Sequence, residues 1–383
     1  MAEVDLAVIG AGLSGCSLIG GLQQLGSNLK ISLVEAGRGP GGRAATRRRR
    51  GQSSWLLNHG APGFALSASM PEGMEALLAP LRSTGVLQQD LRPQLLLDAK
   101  AGLSPANGPE ANPAGGWWHG VPCMANICKA LLDGAGSQNL SRQFETRVRW
   151  LERRNDHWLL ENEDRSWSLR AQCLVLSGTL LAHPRSLAML AWEDVPLRSA
   201  VPEGVDLDLD AVLAQLQRSQ AEVRWNLMVD LGVLTLNGEQ LPAQIWLNDA
   251  AKTRWKVERL VLQPQRDGRW GLVVHGLDSG EAITPESQSR LLAEQQQRLV
   301  GLLPELLQGL PVVSAALKHA TSLGVMRWGA SRPLNHPLPH ELQWCPNSAV
   351  GFCGDWIDGP GFGTAEGAIR SGVHLAEQLH ADR

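Results

Sequence analysis

Apolar and polar positions divide this chain into segments of two periods. Val4 to Ile9 (VDLAVI) and Leu29 to Val34 are short, nearly continuous apolar runs, the pattern of strands buried in a parallel sheet. Between them, about Leu13 to Leu25 reads as a helix, so the chain begins strand, helix, strand. Near the other end, Ala349 to Asp355 reads as a buried strand running into a glycine-lined turn. A helix starting near Thr364 carries Ala365, Ala368, Ile369, Gly372, Val373, Ala376 and Leu379 on one side. Thr364 is its predicted N-cap, the hydroxyl oxygen accepting an orphan N–H. In between, Thr146 to Leu151 alternates like a strand, Trp158 to Leu160 is its hairpin partner, and Leu174 to Ser177 returns to the sheet. From about Ala182 to Trp344 the strands lengthen (Arg224–Leu231, Leu241–Leu247, Trp270–His275) and a helix spans Pro285 to Leu303. That mixture predicts a mostly antiparallel sheet with helices to one side.

The turn between the first strand and helix is Gly10-Ala11-Gly12-Leu13-Ser14-Gly15. Its glycines let backbone N–H groups approach a pyrophosphate closely, and the helix that follows presents its positive end to that anion. Glu35 ends the second apolar run, 20 residues after Gly15, where an acid can accept hydrogen bonds from ribose hydroxyls. An acid there disfavours a 2′-phosphate, so the site suits an adenosine ribose and not NADP. The bland alternative is a glycine-rich turn that binds nothing.

Glu35-Ala36, then Gly41-Gly42-Arg43 and Thr46, stand at the spacing E-A-x(4)-G-G-R-x-x-T. This resembles the signature of the flavin amine oxidase superfamily. The Gly354-Asp355 pair and the Gly363-Thr364 helix start resemble the same superfamily's C-terminal flavin segment. Shorter likenesses narrow it towards renalase-like oxidases: Asn58-His59-Gly60-Ala61, Val121-Pro122-Cys123-Met124, Trp246 through Lys252, and Met326-Arg327-Trp328 followed by Pro333. The resemblance implies FAD as cofactor, cradled from both ends of the chain. Arg43 would stand beside the phosphates, Asp355 at a ribitol or phosphate-proximal hydroxyl, and the backbone of Val148 against the adenine. It also implies an α/β fold in which a Rossmann-like FAD-binding domain (1–75, 117–183 and 346–383) is interrupted by a second α+β substrate domain (76–116 and 184–345). Pro62, Gly63 and Cys123 depart from the family pattern where the substrate wall would be.

The resemblance implies hydride transfer from a small reduced substrate to the flavin, then reoxidation by oxygen to peroxide, so the protein's task is positioning. A dihydronicotinamide isomer is the substrate class that needs no amine-deprotonating base. An amine oxidase and a catalytically idle flavin-binding protein are the alternatives, with a polyprenoid desaturase behind them. The chain has no tyrosine, which excludes a pair of tyrosine walls, and 14 tryptophans, of which Trp328 is the candidate wall. Among its few lysines, Lys252 is the candidate to hold a water at the flavin, ahead of Lys256 and Lys318. Either residue equally suits an ordinary surface or packing role. His59 reads as a flavin neighbour or as a hydrogen-bonded structural histidine.

The run Arg47-Arg48-Arg49-Arg50 reads as a solvated loop or as a rim for a dinucleotide substrate. A pyridine dinucleotide is therefore a candidate partner. The absence of a second GxGxxG means that any dihydronicotinamide enters the substrate site itself. Ala101 to Gly116 reads as a long loop. The net charge of −3 gives no global case for nucleic acid or an acidic membrane. Six cysteines without C-x-x-C or metal spacing fit reduced thiols in the cytoplasm, with no metal expected. No basic leader and no long apolar span is evident, so neither a secretory signal nor a membrane helix is expected.

Overall fold

The computed structural model describes residues 2–49, 52–108, 113–134, 139–154, 156–278, 280–281 and 283–382. Its principal elements begin with β1 (Ala2–Ile9), α1 (Leu13–Gln24), β2 (Ile31–Val34) and β3 (Ser168–Leu176). After these come β4 (Ala221–Val233), β5 (Gln244–Leu247), α2 (Asp249–Trp255), β6 (Val257–Pro264) and β7 (Arg269–Leu277). The last are α3 (Pro285–Leu306), β8 (Thr321–Pro333), β9 (Val350–Phe352) and α4 (Ala365–Ala381).

Among the described residues, the first large sheet has eight strands. Its centre is parallel: β1 lies between β2 and β3, and β9 pairs with the C-terminal end of β3. The hairpin of Val148–Arg154 and His157–Asn162 extends one side, antiparallel as its alternation predicts. Every residue of β2 is buried, the burial expected of a continuous apolar run covered on both faces. The chain's two ends meet where α4 packs on α1. A Cβ added at Gly372 would lie 2.3 Å from the Ser14 carbonyl oxygen, so only glycine permits this approach.

The second large sheet has seven strands, with β8, β4, β7, β6 and β5 side by side and then residues 94–97 and 103–105. It is antiparallel except where β5 meets residues 94–97. Alternation gives it two unlike faces. Trp225, Leu227, Val229 and Leu231 of β4 join Leu299, Leu303 and Leu306 of α3 in an apolar core. On the other side lie Arg224, Asn226 and Met228: Met228 packs with Trp55 and Leu57 of the strand Gln52–Asn58, and the Asn226 side-chain amide donates to the His59 carbonyl.

Two helices pack across the expected domain ranges. Helix Glu72–Ser83 buries Met74, Leu77, Leu78 and Leu81 with α1, so residues 76–83 pack with the first sheet. Helix Leu207–Arg218 buries Leu209, Val212, Leu213 and Leu216 against Leu174 and Phe352 on that sheet's opposite side, although its sequence lies in the range expected for the second domain. An amphipathic stripe tells that a helix packs but not on which layer. Part of the expected loop 101–116 is also ordered, Leu103–Pro105 pairing with Gln94–Leu97, while its residues 109–112 lie outside the described residues.

Candidate functional site

The parallel strands β1, β3 and β9 end together, and the glycine turns of both chain ends gather at that edge. Gly12 is the N-cap of α1, no side chain caps this helix, and its first turn holds no acid, which leaves N–H donors and the positive dipole end for an anion. Gly10 has φ +105°, and a Cβ there would lie 2.4 Å from Ser177 Oγ, which donates to the Gly10 carbonyl oxygen at 2.8 Å. Gly42, at φ +51°, approaches so closely that its Cβ would be 3.1 Å from the Gly12 Cα. The two glycine motifs are thus back to back. Leu13, Ser14 and Gly15 are buried beneath them.

Glu35, half-buried at the end of β2, accepts from the Ala11 N–H at 2.8 Å and the Gly37 N–H at 2.6 Å. Those two bonds fix the carboxylate and leave further lone pairs for hydroxyl donors. Ala36 beside it is exposed. The backbone of Glu35 also accepts from Thr146 N–H, and that of Gly37 from Glu145 N–H. Val148, buried and first in its strand, is thereby brought next to the Glu35 turn.

Arg43 and Asp355, expected as separate cofactor contacts, meet each other. The guanidinium is bidentate to the carboxylate, both bonds at 2.5 Å, and Nη1 also reaches the Ser331 carbonyl at 3.1 Å. A third charged group, which the sequence reading missed, joins them. Arg185, half-buried and bonded to Thr179 Oγ1, is pulled down to about 10 by burial and by the Arg43 charge, which Asp355 only partly offsets. Two guanidiniums around one carboxylate leave an excess positive charge, which suits a phosphate. The only sequence signal was position, Arg185 following the Ser177-Gly178-Thr179 turn after a third parallel strand. Thr364 caps α4 as expected, accepting the Gly367 N–H at 3.3 Å, and Gly363 before it adopts φ +75°.

The segment 58–61 crosses between this edge and the second sheet. Asn58 is a clamp: its Oδ1 accepts from Thr46 Oγ1 and from Met124 N–H, and its backbone is bonded both ways by Gln263. Gly60 and Ala61 seal against Arg43. A Cβ on Gly60 would lie 2.0 Å from the Arg43 carbonyl oxygen, which the Ala61 N–H also reaches. His59 is buried and stacks on Trp328, ring centroids 5.5 Å apart, while its carbonyl accepts from Trp328 Nε1. Burial and the nearby Arg47 charge lower His59 to about 4, so it is neutral. Arg50, at the end of the arginine run, lies outside the described residues.

Lys252 is not brought to this cluster. It lies on α2, packed over β5 and β6, and forms an ion pair with Asp249 at 3.3 Å. Trp328 is on β8, three to four strand intervals away in the same sheet, or roughly 14–19 Å at the usual strand spacing. Lys256 and Lys318 are exposed. The sequence spacing W…K placed Lys252 on a helix after the strand, and spacing carries no information about which sheet edge that strand occupies.

A cleft of about 120 Å³ opens beside the segment, lined by residues including Asn58, Pro62, Trp117, His119 and Gln244. Among the described residues no group of three metal-ligating side chains is present, and no helix is long and apolar enough to cross a membrane.

Comparison with known proteins places these features. A model of the NAD(P)-binding Rossmann-like domain matches residues 8–79. No curated protein matches the sequence. Several solved structures match nearly end to end. Putrescine oxidase bound to putrescine has a TM-score of 0.64 and 13% identity over 99% of each chain. Cyclohexylamine oxidase from Brevibacterium oxydans IH-35A has a TM-score of 0.65 and 14% identity over 99% of each chain. An oxidoreductase from Methanosarcina mazei has a TM-score of 0.64 and 14% identity, covering 97% of this chain and all of that one. Likeness at these identities shows the fold alone.

Proposed function

We propose that this protein is an FAD-dependent oxidoreductase that accepts hydride from a small reduced substrate and is reoxidised by oxygen. The observation that carries the reading is the two-ended glycine cradle. An uncapped helix start, a fixed Glu35 carboxylate and an Arg43–Asp355–Arg185 cluster converge at one sheet edge, and together they fit an adenine dinucleotide. Bound there, FAD would supply the two-electron acceptor for the hydride. Gly10, Gly12, Gly42 and the N–H groups of Leu13, Ser14 and Gly15 would hold its pyrophosphate, and Glu35 its ribose. Arg43 would orient Asp355 towards a ribitol hydroxyl, and the α4 start at Gly363-Thr364 would place its dipole at the ring. His59 and Trp328 form a stacked, mostly buried wall that excludes water from one side. The free cysteines support a reducing, cytoplasmic setting.

For the substrate, a dihydronicotinamide isomer fits better than an amine, because Lys252 is remote from Trp328 and held by Asp249. Anaerobic mixing of the FAD-loaded protein with dihydronicotinamide isomers, amines and polyprenoids tests this, and bleaching by the first class alone is expected. Lys252→Met should leave that bleaching unchanged, whereas loss of reduction would restore the amine oxidase mechanism. If no donor in the panel bleaches the flavin, the protein is an idle flavin binder. Arg185→Gln should raise the FAD dissociation constant about tenfold, or roughly 1.4 kcal/mol. Fluorescence titration of flavin-free protein measures it, and an unchanged constant removes Arg185 from the site.

A further inference from the structure

The cleft beside segment 58–61 gathers groups from separate stretches of chain. Gln244 of β5 is at its floor, 1% exposed, and Nε2 of this side chain has no hydrogen-bond partner. Its Oε1 is already engaged, accepting from Arg259 Nη1 of β6 at 2.9 Å. The same guanidinium lies 4.7 Å from the ring centroid of Trp246 and 6.0 Å from that of Trp117, so Gln244 and Trp117 are held at one place. Backbone bonds bring Asp90 and Arg92 to them. The Asp90 N–H donates to the Trp117 carbonyl at 2.8 Å, and the Ala243 N–H, next to Gln244, donates to the Pro93 carbonyl at 2.8 Å. Buried amides are rarely left half-paired, because the unmade bond costs stability. Gln244 Nε2 is therefore a spare donor at the base of the cleft.

The charges that line the cleft cancel. Asp90 Oδ1 accepts from the Arg92 backbone N–H at 3.1 Å and from Nε at 3.0 Å, and Oδ2 accepts from Nη2 at 2.6 Å. Arg92 Nη1 donates to the Leu262 carbonyl at 2.9 Å. Oδ2, with a single bond, keeps a lone pair for a further donor. Burial and the Arg92 charge outweigh Asp90 and hold His119 below its ordinary value, so it adds no charge at neutral pH. An anionic ligand would meet Asp90, and an ammonium would meet Arg92. A neutral ligand escapes both. The remaining walls are flat or apolar, among them Trp117, Pro62, Pro122 and Val261. The cleft volume of about 120 Å³ approaches the roughly 150 Å³ that holds a benzene ring. What fits is a planar ring carrying an acceptor beside an N–H donor.

We propose that this cleft binds a neutral aromatic carboxamide, the carbonyl oxygen accepting from Gln244 Nε2 and the amide N–H donating to Asp90 Oδ2. Asn58 and Pro62 of the cleft bracket Gly60 and Ala61, which seal against Arg43, so cleft and cofactor cradle share one segment. The carboxamide end of a dihydronicotinamide would therefore lie here, and that part rests on the proposed function. Calorimetry on the purified full-length protein tests the cleft whether or not FAD is bound. Benzamide is expected to bind at least tenfold more tightly than acetophenone, benzoate or benzylamine. Acetophenone has the same shape and carbonyl but no N–H for Asp90. Gln244→Glu keeps the acceptor for Arg259 and removes the donor, so it should weaken benzamide at least tenfold. Asp90→Ala should weaken benzamide as much and, by releasing Arg92, turn the preference towards benzoate. Thermal unfolding confirms the fold of each variant, and if neither folds the order of the four probes on the parent decides. Another probe that matches benzamide overturns the proposal. So does benzamide that fails to bind, or that binds the folded variants as well as the parent. On FAD-loaded protein benzamide should also compete with the dihydronicotinamide that bleaches the flavin, and bleaching that it does not slow overturns the placement of the substrate. A flavin that no donor bleaches sinks the proposed function alone, because calorimetry still reads the cleft.

Discussion

Gly15→Val is expected to yield a protein that folds but takes up no FAD. A Cβ at position 15 would lie 2.3 Å from the Gly10 carbonyl oxygen and 3.2 Å from Ser177 Cβ. The first of these is backbone, in the turn proposed to hold the pyrophosphate, and it cannot rotate away as a side chain could. Gly10 is itself confined by φ +105° and by Ser177, which bonds its carbonyl. The turn must therefore open, and valine's branches enlarge the movement. An affinity loss of at least 100-fold, about 2.7 kcal/mol, follows from misplacing several N–H donors at once. Visible flavin absorbance after reconstitution and desalting measures it, and a fully loaded variant would show that this turn does not bind the cofactor. Gly301→Ala is the control. That position lies within α3 with nothing within 4 Å of an added Cβ, so stability should rise by about 0.5–1 kcal/mol with flavin content unchanged.

Acid is expected to destabilise the fold well before its carboxylates titrate. Burial, with the Arg47 charge, holds His59 at about 4, and burial with Arg259 and Arg224 holds His275 well below its ordinary value. The unfolded chain protonates both near pH 6.5, so it binds more protons than the folded protein throughout the window below that pH. Stability is therefore complete above about pH 6.5 and falls as pH drops towards 4, by about 1.4 kcal/mol per unit for His59, with His275 acting in the same direction. Between pH 6.5 and 5 His59 alone costs roughly 2 kcal/mol, a sizeable part of a typical folding free energy of about 5–15 kcal/mol, and His275 acts in the same direction. Denaturant unfolding at the two pH values should show this, and the double variant His59→Gln with His275→Gln should lose most of the difference. A double variant with an unaltered acid slope would mean that other groups set it.

Much of the fold was legible in the sequence because its demands are local. The apolar run of β2 reports burial on both faces of a sheet. The glycines at 10 and 15 report a turn that a side chain would block, and Thr364 reports a helix start through its own hydrogen bond. Each requirement is met within a few residues, so spacing alone reveals it. Layer assignment was not legible. Helices Glu72–Ser83 and Leu207–Arg218 carry the stripe of a packed helix, yet nothing in a stripe names the sheet it covers.

The chemistry divides along the same line. By itself the sequence determined a strand–glycine turn–helix–strand unit ending in Glu35, because all of its parts lie within one short stretch of chain. Only the tertiary structure decided what surrounds it. It joined Arg43 to Asp355 across 312 positions of sequence and added Arg185. It stacked His59 on Trp328 across 269 positions and carried Lys252 towards the far edge of the second sheet. It also brought Gln244 and Trp117 together through Arg259. The physical reason is that strand order, not chain distance, sets which side chains meet, and strand order is fixed by the packing of whole faces.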